Sequence, residues 1–198
     1  MIAGVVLAGG AARRMGGVDK ASLELAGVTM LDRVLLAARP LCRPLVVVGP
    51  PRPSVVGGVE FLLEVSVGGG PVPAIAAGLA AVDRPVGEDS AEIVVLLAAD
   101  LPLLTTEAVT ALVDALAGGR SAAAALDPRR GPVPLLAAYR RAPLAARLAD
   151  LGPDAGADRR AGLLLPDDVV LVDLGDHVSL NVNTPADLAR ARRALSST

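Results

Sequence analysis

Apolar residues in this chain come in short runs, each followed by a turn and then by a helical pattern. "IAGVVLA" (2–8) is apolar on both faces, which predicts a strand buried from both sides, as in parallel sheets. "PLVVVG" (44–49), "VEFLLE" (59–64), "EIVVLLAAD" (92–100) and "DVVLVDLG" (168–175) predict further strands. Between them, "TMLDRVLLAA" (29–38) places Met30, Leu31, Val34, Leu35 and Ala38 on one helical face. Thr29 and Asp32 stand at capping-box spacing, and Pro40 ends the pattern. "GGGPVPAIAAGLAAV" (68–82) is a loop running into a helix of small residues. "TTEAVTALVDALAGG" (105–119) is a helix capped by Thr105 or Thr106 and stopped by Gly118, and "APLAARLADLG" (142–152) is a shorter one. In "TPADLARARRAL" (184–195) Thr184 fits the N-cap, Pro185 the first turn and Asp187 the capping-box acid.

One stretch breaks the alternation. "SAAAALDPRRGPVPLLAAYRR" (121–141) reads as two extended runs around the turn "DPRRG", a hairpin that inserts an antiparallel strand into an otherwise parallel sheet. The expected architecture is a Rossmann-like three-layer α/β/α sandwich with a mixed, mostly parallel sheet. Pro- and Gly-rich stretches at 49–58 and 83–89 are loops. No repeat, charged tract or low-complexity linker divides the chain, so residues 1–198 are expected to form a single domain.

Composition narrows the function. Hydrophobic residues make up 53% of the chain, and the aromatics are Phe61 and Tyr139. The chain therefore lacks the stacking platforms that bind single-stranded nucleic acid, and a net charge of −2 without a basic tail argues against nucleic acid in general. Cys42 stands alone, which excludes a disulfide framework and a cysteine-based metal site and fits a cytoplasmic protein. Residues 1–10 lack the basic region of a signal peptide, and the apolar runs are too short to span a bilayer, so no membrane is expected.

The chemistry concentrates in "LAGGAARRMGGVDK" (7–20). "LAGG" leaves the first strand at its carboxyl end, where ligands bind in open α/β sheets. Gly9 and Gly10 let backbone N–H groups approach a phosphate, and Arg13, Arg14 and Lys20 add three cations. Walker A requires Ser or Thr after its lysine, but Ala21 follows Lys20, and the G-x-G-x-x-G dinucleotide fingerprint is absent. Arg13, Arg14 and Lys20 are thus either a solvated face or a polyanion site. Lys20 is the chain's single lysine beside eighteen arginines. A compact ammonium in an arginine-writing chain fits a phosphate crowded by backbone amides, where a planar guanidinium does not.

This stretch resembles the L-A-G-G-x-x-x-R-M-G-x-x-D-K signature of molybdenum cofactor guanylyltransferases, which share the nucleotide-diphospho-sugar transferase fold. "GGGPVPAIAAGL" (68–79), "LAADLPLL" (97–104) and "NVNTPADL" (181–188) are similar to the family in the same order and extend the resemblance over nearly the whole chain. The resemblance implies a Mg²⁺-dependent transfer of GMP from GTP to the phosphate of molybdopterin, releasing pyrophosphate, with transient protein partners in cofactor delivery. It implies that Leu7, Ala8, Gly9 and Gly10 line the nucleotide and that Arg14 and Lys20 neutralise its phosphates. Asp100 would hold Mg²⁺; otherwise it caps the turn before Pro102. Asn181 and Asn183 would face the acceptor; otherwise they serve the turn before the last helix.

Several positions depart from the family pattern. Gly49 stands where the family often has Asn, Glu64 where it usually has Asp, and "GPVPAIAAG" replaces G-P-L-A-G. A polar pair before the family's sixth strand is missing from "GPVPLLAAY". Gly49 and Glu64 are carried over as nucleotide-binding positions. These departures bear on base and acceptor choice, and leave two alternatives: a cytidylyltransferase or other small-molecule-phosphate nucleotidyltransferase, or a degenerate nucleotide-binding module. His177 and the basic runs 158–160 and 190–193 are expected at the surface, and Cys42 in the core.

Overall fold

The computed structural model describes residues 1–9, 19–63, 70–83, 91–152, 161–175 and 177–196. Its strands are β1 (Ile2–Leu7), β2 (Glu24–Leu25), β3 (Val28–Thr29), β4 (Leu45–Val48), β5 (Val59–Leu62), β6 (Ile93–Ala98), β7 (Ala122–Asp127), β8 (Gly131–Arg140) and β9 (Val170–Val172). The helices are α1 (Met30–Ala38), α2 (Pro71–Val82), α3 (Thr106–Asp114), α4 (Arg141–Leu151) and α5 (Pro185–Ser196).

A seven-stranded sheet runs in the order β5-β4-β1-β6-β8-β7-β9. Every pairing is parallel except those of β8 with β6 and with β7, so β8 alone runs against the rest. The "DPRRG" hairpin is therefore the antiparallel intrusion that the sequence predicts. Because side chains alternate along a strand, neighbours in β1 and β4 feed different cores. Val6 and Val47 pack with Leu31 and Leu35 of α1 and Leu112 of α3. Val5, Val46 and Val48 pack with Ile75 of α2 and Leu144 of α4. The result is the three-layer sandwich with a mixed, mostly parallel sheet.

Small residues permit close layers. An added Cβ on Gly78 of α2 would lie 2.4 Å from Val5 Cγ1, so α2 sits nearer the sheet than a larger residue would allow. Local signals set the helix starts. Thr29 Oγ1 accepts from Asp32 N (3.0 Å), and Thr105, rather than Thr106, caps α3. At α5 the box is reciprocal: Asp187 N donates to Thr184 Oγ1 (3.2 Å) and Thr184 N to Asp187 Oδ2 (2.9 Å). At α1 it is not, since Asp32 Oδ1 instead accepts from Ser54 Oγ at 2.5 Å.

Some elements are shorter than the periodicity predicts. β5 stops at Leu62 and β9 holds three residues, while α3 gives way after Asp114 to a turn in which Gly118 takes φ 74°. The β2–β3 hairpin is absent from the sequence reading because each strand has two residues, too few for periodicity to register. Its turn at Ala26 (φ 50°) and Gly27 (φ 76°) uses left-handed backbone. Leu25 and Met30 then pack with Leu180, Val182 and Ala191 in a third core, which draws the C-terminal segment toward Lys20. Among the described residues, no helix is long and apolar enough to cross a membrane.

Candidate functional site

The central strands end side by side. β1 and β6 pair in parallel up to Leu7 and Ala98, and Ala99 N donates to Leu7 O (3.0 Å). Ala8 N donates to Val48 O (2.8 Å), and Gly49 N to Leu62 O (2.8 Å). Leu7, Ala8, Gly9, Gly49 and Asp100 therefore share one edge, the carboxyl edge of the sheet. Gly49 is required there sterically: at φ 152°, an added Cβ would lie 2.7 Å from the carbonyl carbon of Ala8. The glycine lets two strand ends converge.

Lys20 opens a short 3₁₀ turn, Lys20–Ser22, that packs on α1. Its Nζ donates to Asn183 Oδ1 at 2.8 Å, across 163 residues of sequence, and lies 3.7 Å from Asp100 Oδ2. Asn183 Nδ2 donates to Asn181 Oδ1, and Val182 N donates to Asp100 O at 2.9 Å. Asp187 Oδ2 fixes the segment by accepting from Asn183 N (3.1 Å). The two asparagine side chains thus turn toward the lysine, while Asp187 serves the helix start. Lys20, Asp100, Asn181 and Asn183 form one cluster.

Within it, Asp100 is electrostatically unsatisfied. Burial pushes its carboxyl above the usual range, and the Lys20 charge and the Asn181 amide only partly offset this. Oδ1 is buried without a hydrogen-bond partner among the described residues. A turn-capping carboxylate accepts backbone N–H groups; this one leaves an oxygen open beside a cation held at 3.7 Å. That is the donor a hard divalent cation needs. The described residues contain no cluster of three or more His, Cys, Asp or Glu, so a cation here would draw most of its ligands from phosphate oxygens and water, as Mg²⁺ does.

Residues 4–164 match the MobA-like NTP transferase domain. The chain belongs to this family. It is 38% identical over 197 residues to a probable molybdenum cofactor guanylyltransferase of Mycobacterium ulcerans, covering 94% of this chain and 91% of that protein. A probable molybdenum cofactor guanylyltransferase of Deinococcus radiodurans is 34% identical over 186 residues, covering 93% and 90%. Among solved structures, the molybdopterin-guanine dinucleotide biosynthesis protein A of Archaeoglobus fulgidus superposes with a TM-score of 0.74 at 25% identity, each chain covered in full. The 2-C-methyl-D-erythritol 4-phosphate cytidylyltransferase of Thermus thermophilus shares the fold, with a TM-score of 0.70 at 22% identity and full coverage of both. Lys20, Gly49 and Asp100 lie inside the matched MobA-like domain, and Asn181 and Asn183 beyond it.

Of the other positions singled out in the sequence, Gly10, Arg13, Arg14, Glu64 and the run 158–160 lie outside the described residues. Cys42 is fully buried in the core, and burial pushes its thiol up to about 12. His177 is exposed. Sequence reasoning missed Arg52, whose Nε and Nη2 donate to the Asp19 carboxylate at 2.6 and 2.9 Å and whose Nη2 also reaches Ala8 O at 3.1 Å. The signal available was an arginine in the proline-rich loop 49–58, with nothing local to name its partner.

Proposed function

We propose that this MobA-like NTP transferase transfers GMP from GTP to the terminal phosphate of molybdopterin. The observation that carries this reading is the convergence of Lys20, Asp100, Asn181 and Asn183 from the beginning, middle and end of the chain onto one strand-end site. The names of its relatives support guanine as the base and molybdopterin as the acceptor. The same reading takes residues 1–198 as one nucleotidyltransferase domain.

In the reaction, an oxygen of the acceptor phosphate bonds to the α-phosphorus of GTP while the bond from that phosphorus to the bridging oxygen of the β-phosphate breaks. Pyrophosphate departs with the electron pair. A phosphate monoester loses its second proton near pH 6, so at neutral pH the nucleophile is already anionic and no general base is required. What remains is positioning and charge neutralisation. Leu7, Ala8 and Gly9 offer backbone to the nucleotide, with Gly49 keeping that edge open, and Gly10 and Glu64 extend this role. Lys20, steadied by Asn183, places its ammonium against the α-phosphate and the leaving pyrophosphate, and Arg14 shares that work. Asn181 and Asn183 present amides to the acceptor. Asp100 would hold Mg²⁺, which when bound neutralises phosphate charge.

The test supplies the protein with Mg²⁺, molybdopterin and each nucleoside triphosphate in turn, measuring pyrophosphate. GTP should give the highest turnover. Faster turnover with CTP would overturn the base assignment, and GTP binding without pyrophosphate from any acceptor would make the protein a binding module.

A further inference from the structure

The "DPRRG" turn, which the reaction above leaves without a role, lies beside the site. β7 runs parallel to β6, with β8 between them, so Asp127 ends at the same carboxyl edge as Ala98. β8 pairs with β6 only from Arg140 to Leu136, and its earlier residues carry the hairpin beyond that edge. A pocket of about 190 Å³ opens between this turn, the segment Ser179–Asn181 and one face of α5. Asn181 lines it, and Asn181 is also the acceptor of the Asn183 amide that joins it to Lys20. The pocket and the Lys20–Asp100 cluster therefore share a wall.

The pocket's charges are unequally employed. Asp127 Oδ1 accepts from the backbone N–H groups of Arg129 (2.8 Å) and Arg130 (3.0 Å), which closes its own turn. Asp187 Oδ2 accepts from Asn183 N and from Thr184 N and Oγ1, which caps α5. One oxygen of each acid is thus committed to its own turn or cap. Arg129, Arg130 and Arg190 are exposed at the pocket, and among the described residues none makes a salt bridge. Arg130 is close enough to Asp187 to help hold its carboxyl below the usual range: burial acts upward, and the bonds from Thr184 and Asn183 together with the Arg130 charge outweigh it. Three arginines from two elements far apart in sequence line one space, and their delocalised, weakly hydrated cations suit an anionic group.

We propose that Arg129, Arg130 and Arg190 form an anion-binding subsite for the acceptor, on the far side of Asn181 from Lys20. The subsite rests on the proposed transfer to molybdopterin and adds to it the residues that select the acceptor. It attracts the ionised dithiolene end of that molecule, so that its phosphate lies over the Lys20–Asp100 cluster. Because the three side chains stand outside the cores, replacing them should leave the fold and the GTP site intact.

The experiment compares the unsubstituted protein with Arg130→Ala/Arg190→Ala and with Arg130→Lys. It measures KM for molybdopterin, KM for GTP, kcat at saturating acceptor, inhibition by inorganic pyrophosphate, and calorimetric binding of molybdopterin without GTP. The double variant should raise the molybdopterin KM and Kd tenfold or more, with the GTP KM, pyrophosphate inhibition and kcat within about twofold. Arg130→Lys should recover part of the loss. An unchanged molybdopterin KM and Kd in an active double variant would overturn the subsite and leave the transfer reaction standing. Equal weakening of GTP or pyrophosphate would also overturn it, by giving the pocket to the triphosphate. If the unsubstituted protein turns over GTP with another acceptor but not with molybdopterin, the functional reading fails and the subsite fails with it.

Discussion

Asp19 and Lys20 are neighbours in sequence, and each belongs to an acid–base pair with opposite character. Asp19 takes two hydrogen bonds from Arg52, and chiefly this contact holds its carboxyl below the usual range. Asp100 faces Lys20 at 3.7 Å with one oxygen unpartnered among the described residues, and burial holds its carboxyl above that range. The first pair is closed and ties the proline-rich loop to the turn that carries Lys20. The second is open and gives up stability to keep a carboxylate and an ammonium available. A structural ion pair satisfies its own groups, whereas a site leaves them unsatisfied until a ligand arrives.

The strongest test of this contrast is Lys20→Ala. If the ammonium neutralises phosphate charge, kcat should fall about 10²–10³-fold, the scale for losing one electrostatic stabiliser. The melting temperature at neutral pH should fall only modestly, because Asp100 loses the charge that partly offsets its burial. Pyrophosphate release and a thermal scan together read both halves. Lys20→Arg should also lose activity, since a fork cannot replace a point charge in a crowded site.

Asp100→Asn should lose activity on a similar scale. Its effect on the metal-free fold has the opposite sign. With a raised folded-state pKa, ionised Asp100 destabilises the protein above that pKa, and the penalty is relieved as pH falls toward the unfolded value. At neutral pH, the amide should therefore match or exceed the native melting temperature. A clear drop in stability would show that Asp100 is a structural partner of Lys20 and remove the open-pair interpretation.

Gly49→Ala attacks the frame that brings the two pairs together. The methyl would meet the Ala8 carbonyl at a backbone angle that favours glycine, so about 1–3 kcal/mol of stability should be lost. Denaturant unfolding measures it, and activity should fall with it as the Ala8 edge shifts.

The smallest effect belongs to Asp19→Asn. Its side chain is 47% exposed, so the clasp contributes less than about 1 kcal/mol. A depressed folded-state pKa means that this contribution is present above the ordinary carboxylate pKa, about 3.9, and is lost as pH falls through the lower folded value. The stability difference between native and variant should thus shrink in strong acid. For Asp100→Asn the difference should shrink earlier, as the pH drops through the raised pKa.

Much of this molecule was legible in one dimension. The two-sided apolar runs named the sheet strands, "DPRRG" named the antiparallel hairpin, and Thr184 with Asp187 named the start of α5, because each signal is confined to a few consecutive residues. "LAGG" and Asp100 were placed at strand ends by the same local logic. Other features depended on the order of the strands. Nothing near Lys20 names Asn183 as its partner, nothing in loop 49–58 names Asp19, and "DPRR" does not announce Arg190. Those pairings follow from β1 lying between β4 and β6, from β8 carrying its hairpin past the edge, and from the third core drawing the last segment back. The chain by itself determined which groups were available and what local structure would carry them. Only the tertiary structure decided which charges are spent on one another and which are left for a ligand, because desolvation and distance are properties of the packed molecule.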